Sequence, residues 1–286
     1  MADTQFLKDN LKGSVPTEIA SEVVKNIVDQ STVFNICKHV PMASDKKVIP
    51  VLSDTGKAYW VEEGTEIGTS IQGWEYPELE AKKLAVIIPF TKEKYEDSVM
   101  DVMGEIKQGI ADAFTRAIDS AVLFGTNSPF ATNIAGAVLE GSKIAGTGKL
   151  DIDISNAMTK VEESDLIVNG IVAPTSVKGT LRNLRDSNGN AIAVTGGITG
   201  TSIYNTPIHI PVTSVWDKLK ADVLVGDFSR AMIGTRSDIT YEVLDQATVG
   251  GINLAEKDLL AVKCTMRFGF NVIDPKAFAL VKPQVL

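Results

Sequence analysis

Apolar and polar residues follow two periods along this chain, and the changes of period mark its elements. From Val99 to about Phe124 the apolar positions Val99, Met103, Ile106, Ile110, Ala113, Ala117 and Ala121 fall three and four apart. That spacing draws one stripe down a helix, about 39 Å long at ~1.5 Å per residue. Asp97-Ser98 is its expected cap and Gly125 its expected stop. Gly104 and Gly109 inside it each cost about 1 kcal/mol relative to Ala, so tertiary packing must outweigh them. A shorter helix opens at Val15-Pro16-Thr17-Glu18, carries Ile19, Val23, Ile27 and Val28 on one face, and stops near Ser31. Met1 to Val15 is polar and aperiodic, which predicts an extended or mobile arm.

Strand-like texture takes over between and after these helices. Val33 to Val40 reads as a strand closed by Pro41. The stretch from Ala58 to Ser98 has ends rich in β-branched and aromatic residues and a middle of Gly, Ser and Thr. It predicts two long strands joined by a loop: Ala58–Gly64 going out, Trp74–Glu80 and Lys83–Phe90 coming back, with Val48–Leu52 leading in. The tip is acidic, with Glu62, Glu63 and Glu66. A two-stranded hairpin is marginally stable at best in water. It must therefore lie on something else, either this chain or another copy of it.

After Gly125 the texture changes again. Thr126 to Leu150 is rich in Gly, Asn, Ser and Thr, which suits a boundary or long loop. Asp153 to Glu163 predicts a helix with Ile154, Ala157, Met158 and Val161 on one face. Leu166–Val168 and Ile171–Ala173 read as strand material around Asn169-Gly170, and Pro174-Thr175 starts a helix through Leu181, Leu184 and Arg185. Asp186 to Asn190 is a loop by composition. Asn133 to about Lys220 thus forms an α/β subdomain. Strands follow at Val223–Val225, Ala231–Ile233, Ile239–Leu244 and Leu259–Ile273. The last points Leu260, Val262, Cys264, Met266 and Phe268 one way and ends at Asp274-Pro275. No internal repeat is visible.

Composition narrows the function. At 286 residues and 44% hydrophobic, the chain can bury a substantial core. Its 28 Lys and Arg against 36 Asp and Glu leave a charge of -8, and no basic cluster breaks that balance. A protein devoted to gripping nucleic acid shows the opposite sign. No apolar run approaches the ~18 residues of a membrane span. Met1 to Gly13 is polar, unlike a secretory signal. Cys37 and Cys264 sit in apolar surroundings and are expected as buried free thiols.

Candidate chemistry is sparse. The two histidines are His39 and His209. A strand would put Cys37 and His39 on one face, where packing outweighs metal binding as an explanation. Gly141 to Lys149 fails the phosphate-loop pattern, because Thr147 rather than Lys follows Gly146. Gly196 to Gly200 is looser still. Adjacent Glu62 and Glu63 would face opposite ways in a strand, which suits a solvated or partner-facing tip better than a catalytic dyad. Trp60, Trp74 and Tyr76 read as cross-strand packing or as a ligand platform. Nothing predicts catalysis, a cofactor or a metal.

Several segments carry a resemblance. They are Val15-Pro16-Thr17-Glu18-Ile19, Lys47-Val48-Ile49-Pro50, Ala58-Tyr59-Trp60-Val61-Glu62-Glu63-Gly64 and Lys83-Leu84-Ala85. Phe90-Thr91-Lys92-Glu93, Glu96-Asp97-Ser98 and Leu123-Phe124-Gly125 follow, then Asn205-Thr206-Pro207-Ile208 and Val225-Gly226-Asp227-Phe228-Ser229. Arg267-Phe268-Gly269-Phe270 and Pro275-Lys276-Ala277-Phe278 close the series. In this order, across nearly the whole chain, they resemble the major capsid proteins of tailed bacteriophages, whose Hong Kong-type fold is shared with encapsulins.

The resemblance implies an α+β fold in named parts. Residues 1–45 would be the N-terminal arm and the start of a peripheral domain, and 46–90 an extended β-hairpin loop reaching over a neighbour. Residues 91–132 would carry the spine helix of the peripheral domain, 133–225 an axial domain, and 226–286 the peripheral return strands. Trp60, Glu62, Glu63, Glu66, Trp74 and Tyr76 would then be contacts between subunits. The implied function is an icosahedral shell of hexamers and pentamers around double-stranded DNA, which is touched non-specifically. Met1 lies only a few residues before the arm, so the resemblance implies a separate scaffolding protein, or none; a portal is a further implied partner, and assembly would take place in the host cytoplasm, away from membranes. An encapsulin-like compartment with protein cargo is the alternative, and a cytosolic enzyme is a third reading without motif support. Some family members crosslink through a lysine near the loop tip. The absence of Lys between Ala58 and Ala81 argues against that chemistry here.

Overall fold

The computed structural model describes residue 27 and residues 30–54, 56, 58–66, 68–70, 72–93, 102–185 and 202–284. The expected arm, the Asp97-Ser98 cap, the Asp186–Asn190 loop and Gly196–Gly200 lie outside them. So does the first helix, apart from Ile27 and Gln30. Ser31 N–H still donates to the Ile27 carbonyl (2.8 Å), in the i to i-4 pattern of a helix ending where expected.

In chain order, helix α1 (Thr32–Ile36) leads to strands β1 (Lys38–Pro41), β2 (Lys46–Val48), β3 (Val51–Asp54), β4 (Gly73–Glu75), β5 (Glu78–Glu80) and β6 (Lys82–Thr91). Helices α2 (Val102–Phe124) and α3 (Ile134–Ala137), strand β7 (Lys143–Ala145), helix α4 (Leu150–Glu162), strand β8 (Gly170–Val172) and helix α5 (Thr175–Arg182) come next. The chain then gives β9 (Ser202–Ile203), β10 (Thr206–His209), β11 (Val223–Gly226) and β12 (Ala231–Leu244). It finishes with β13 (Thr248–Val249), β14 (Ile252–Asn253), β15 (Leu259–Val272) and β16 (Phe278–Lys282).

Two sheets organise these elements. The first has the order β1-β12-β15-β6 and carries α2 on one face. Val262, Cys264, Met266, Phe268 and Phe270 of β15 point into that layer, joined by Leu84, Val86, Ile88 and Phe90 of β6. The alternation expected for β15 is observed from Val262 onward, while Leu260 is half-buried and outside the core. β6 alternates as cleanly and forms an edge, where Pro89 costs no ladder bond. The second sheet has the order β7-β16-β11-β8-β10-β9. One face packs on α4 and α5 through Ile154, Ala157, Val161, Val177 and Leu181. Val172, Leu224, Phe278 and Leu280 join the core beneath α2, so the two layers share one interior. β16, from the end of the chain, sits between β7 and β11.

Several expected elements are displaced. Val33 to Val40 is not one strand: Ser31 caps α1, its Oγ accepting from Phe34 N–H (3.2 Å), and the strand begins only at Lys38. The buried side of α2 is Ile110, Ala111, Phe114, Ile118, Ala121 and Val122, while Ala113 is exposed and Ala117 half-buried. The stripe is rotated because the sheet captures Phe114 and Ile118, which bury more area than alanines do. The helix does stop at Gly125, whose φ of 68° suits a residue without a Cβ. Thr126 to Leu150 contains α3 and β7 as well as loop. Leu166–Val168 is irregular, and only β8 is strand.

Candidate functional site

The hairpin projects from the first sheet, and its strands lie earlier in the chain than their composition suggests. β2 pairs with β5 and β3 with β4, so the outgoing strands are Lys46–Val48 and Val51–Asp54. Ala58 to Gly64 is outside any strand, and Lys83–Phe90 belongs to β6, which pairs with β15 instead. The returning stretch Gly68-Thr69-Ser70 offers 58–61 little cross-strand packing, which leaves the ladder closed at Asp54 and Gly73.

The root of the hairpin is anchored. Met42, Leu79 and Met232 form a small core of their own. Gly234 of β12 and Gly269 of β15 face each other in register, and the hairpin root lies over both. A Cβ on Gly269 would stand 2.9 Å from the Glu80 carbonyl oxygen, and one on Gly234 would collide with the Met42 sulfur. Asn271 Nδ2 donates to the Glu78 carbonyl (2.9 Å), and Ala81 N–H to the Asp45 carbonyl (2.8 Å). Asp45 is clasped by Arg236, with Arg267 at 3.6 Å, and Lys46 pairs with Glu78 at 2.9 Å.

Beyond the root, burial ceases. No described residue from Pro50 to Glu78 is buried, whereas Met42 and Leu79 on either side are. Tyr59, Trp60, Val61, Trp74 and Tyr76 are all exposed, Trp60 completely so at 106%. Thr65 N–H and Oγ1 both donate to the Glu62 carbonyl (3.1 and 2.7 Å), and Gly64 takes φ 85°. Glu62 to Thr65 is therefore a tight turn, and the expected strand geometry for Glu62 and Glu63 does not arise. Glu62, Glu63 and Glu66 are exposed and make no ion pair among the described residues. The six residues singled out from the sequence thus all lie on this one projecting blade.

Elsewhere the chemistry is structural. His39 Nε2 donates to the Phe34 carbonyl (2.7 Å), and its ring lies 5.2 Å from that of Phe34. Burial lowers the pKa of His209 and pushes the Cys264 thiol up to about 12. Burial, with the Asp119 charge second, raises Cys37 further. Both thiols are free and buried, as expected. Among the described residues no group of three or more His, Cys, Asp or Glu could hold a metal, and no helix is long and apolar enough to cross a membrane.

Two features were not singled out in advance. Asp119 of α2 is fully buried and accepts from Ser31 Oγ, Thr32 N–H and Val33 N–H. Its signal was available, as an acid set among Phe114, Ile118 and Val122. Asp45 gave none, since Ser44-Asp45-Lys46 reads as an ordinary polar turn.

A body with a shared interior, carrying a blade of unburied aromatics, belongs to the class of proteins whose surface is completed by further subunits. The chain belongs to the phage capsid family, whose profile it matches over residues 13–282. It is 26% identical over 296 aligned residues to the major capsid protein of Staphylococcus phage 80alpha, covering 98% of this chain and 88% of that protein. A solved structure from Microbacterium phage Oxtober96 matches with a TM-score of 0.80 at 29% identity, over 89% of this chain and 91% of that one. One from Mycobacterium phage Bobi matches at 0.79 and 30%, over 90% and 91%. These similarities are to phage capsids rather than to encapsulins. The protein is a major capsid protein of tailed phages, a structural component of the virion that assembles with copies of itself.

Proposed function

We propose that this chain closes as hexamers and pentamers into an icosahedral shell around double-stranded DNA. The observation that carries the proposal is the hairpin with an anchored root and, among the described residues, no buried one beyond it. Trp60, Trp74 and Tyr76, with the acidic turn at Glu62, Glu63 and Glu66, are its contacts with a neighbouring copy. Each aromatic anchor of this kind is worth on the order of 2 kcal/mol when a partner covers it. Symmetry repeats that gain around every ring, so many modest interfaces close a stable shell.

In this reading residues 1–45 are the arm and the first part of the peripheral domain, and 46–90 the extended loop. Residues 91–132 and 226–286 build the peripheral domain around α2, with β16 shared, and 133–225 the axial domain. A scaffolding protein and a portal act as assembly partners in the host cytoplasm. The DNA is touched non-specifically, in keeping with a charge of -8, because a shell that held its genome tightly would impede packing and release.

Electron microscopy of particles from cells expressing the phage head genes, combined with nuclease digestion, tests the proposal. Closed particles with five-fold vertices and protected double-stranded DNA are expected. Open aggregates, or particles filled with protein and lacking DNA, would overturn it.

A further inference from the structure

Two apolar side chains outside the hairpin stand in solvent. Leu219 is 90% exposed and Ile167 83%, whereas no other large apolar residue described outside the hairpin exceeds 46%. A lone exposed aliphatic needs no explanation, but these two carry opposite surroundings. Ile167 follows Glu162, Glu163 and Asp165, all exposed. Lys160 engages Glu163 at 2.7 Å, and among the described residues no ion pair holds Glu162 or Asp165. Leu219 lies between Lys218 and Lys220, both exposed. Asp217, the acid of that corner, is already engaged: it accepts from Leu219 N–H (3.0 Å) and pairs with Lys220 at 3.5 Å.

The fold puts the two corners at opposite ends of one pair of strands. β8 and β11 are antiparallel, with Gly170 opposite Gly226 and Val172 opposite Leu224. Ile167 precedes β8 at the Asp227 end, where Asn169 N–H donates to the Gly226 carbonyl (3.2 Å) and Asn169 Nδ2 to Asp227 Oδ1 (2.7 Å). Leu219 precedes β11 at the other end, where Lys220 Nζ donates to the Phe124 carbonyl (2.8 Å) that closes α2. β11 alone spans about 10 Å at ~3.3 Å per residue. Both side chains remain exposed, so neither corner covers the other within one chain.

Beside the basic corner the surface is hollow. Arg116, Ala117, Ser120, Thr126, Trp216 and Lys218 line an open concavity of about 680 Å³ on the flank of α2. Its small residues leave room for an aliphatic side chain, and Arg116 and Lys218 bring positive charge to it.

We infer that the corner of Ile167, Glu162 and Asp165 docks on a second copy of this chain, against Leu219 and the concavity at Arg116 and Lys218. The contact rests on the shell reading above and gives its rings an interface outside the hairpin. Charge sets its polarity, because an acidic corner on an acidic one, or a basic on a basic, would bring like charges together. The join is therefore head-to-tail, and such joins between identical chains extend into rings or filaments rather than two-fold dimers. Ile167 and Leu219 supply the burial, and the ion pairs supply the direction.

Cysteine bridging tests the contact. Particles of chains carrying both Ile167→Cys and Leu219→Cys, treated with a short bismaleimide, should give a ladder of covalent multimers on a denaturing gel. The native thiols are buried and stay out of the reaction. Particles of either single variant should give monomers, and particles assembled from a one-to-one mixture of the two single variants should stop at dimers. Glu162→Lys and Lys218→Glu should each lower particle yield several-fold, and the chain carrying both should recover it. Wild-type particles mixed from two isotope-labelled pools give a reading without substitution: carbodiimide should join Lys218 of one pool to Glu162 or Asp165 of the other. Monomers alone from the double-cysteine particles, dimers from a single variant, no recovery in the charge exchange, or no such carbodiimide link among other links between chains would overturn the contact. Particles that protect DNA yet fail these tests sink the contact and leave the shell standing. Ladders from open filaments would uphold the contact and sink the shell, and chains that never associate would overturn both.

Discussion

The Asp119 carboxylate and the Ser31 hydroxyl meet at 2.6 Å, in the interior, across 88 residues of sequence. The same carboxylate accepts from Thr32 N–H at 3.1 Å and Val33 N–H at 3.3 Å. Asp119 thus caps α1 from a different helix, joining the end of the N-terminal segment to the C-terminal part of α2. Replacing it with Ala leaves three buried donors without an acceptor. A loss of about 3 kcal/mol or more is expected, at ~1–3 kcal/mol per unsatisfied group, read as a lowered denaturation midpoint.

Asp119 also gives stability a pH dependence with a definite sign. Burial pushes its pKa up to about 6, outweighing the three hydrogen bonds that favour the anion. The folded value exceeds the unfolded one, so the native state binds the proton more readily. The stabilisation is complete below pH ~4 and is lost as pH rises through about 6. Wild type should gain on Asp119→Asn as pH falls from 7 to 4, by up to roughly 3 kcal/mol at 1.36 kcal/mol per pKa unit. Paired urea titrations at several pH values measure this, and the opposite slope would show that the hydrogen bonds prevail.

Thr115 lies one turn before Asp119, is buried, and has no hydrogen-bond partner for its Oγ1 among the described residues. Thr115→Val replaces that hydroxyl with a methyl group of similar shape. Removing an unsatisfied buried group should raise stability by about 1 kcal/mol, seen as a higher Tm. A lower Tm would mean that the hydroxyl has a partner in the native particle.

Gly226 and Gly269 are places where another backbone comes close. A Cβ on Gly226 would stand 2.5 Å from the Ala277 carbonyl oxygen and 2.7 Å from the Phe278 ring. Gly226→Ala should cost about 1–3 kcal/mol by overpacking the join between β11 and β16. Gly269→Ala presses only on the hairpin root. It should disturb assembly more than subunit stability, as light scattering and thermal melts on the same samples would show.

The hairpin tip should be dispensable for folding and needed for assembly. Replacing Glu62 to Gly73 with a short turn, or changing Trp60 to Ala, removes no buried residue among those described. Melting should stay within about 0.5 kcal/mol of wild type, as for surface substitutions generally, while shell yield falls. Normal shells from both variants would contradict the assignment, and loss of fold would place the tip within its own chain.

Particles should hold together without lysine crosslinks at the tip. Such chemistry needs an amine deprotonated and placed against a neighbour's amide, and no lysine lies between Ala58 and Ala81. Lys82 is engaged with Glu80 at 2.6 Å, back at the base of β6. Boiling in reducing detergent should yield one band near 30.7 kDa; a ladder would point to Lys57, Lys82 or Lys83.

The sequence by itself determined the elements whose cause is local. α2 ends at Gly125 because a left-handed residue is needed there, and β15 alternates because one face is buried from Val262 to Val272. The blade of Trp60, Trp74 and Tyr76 was legible as a hairpin short of a core, though its strands were placed too late in the chain. Only the tertiary structure decided the rest. Which side of α2 faces inward depends on the sheet it meets, and that sheet prefers Phe114 and Ile118 to the alanine stripe. Lys83–Phe90 left the hairpin for β15 because strand pairing joins distant segments, and composition does not name the partner. Asp119 on Ser31 and Asp45 on Arg236 are contacts of the same kind. Their energy comes from groups far apart in sequence, brought together only when the layers pack.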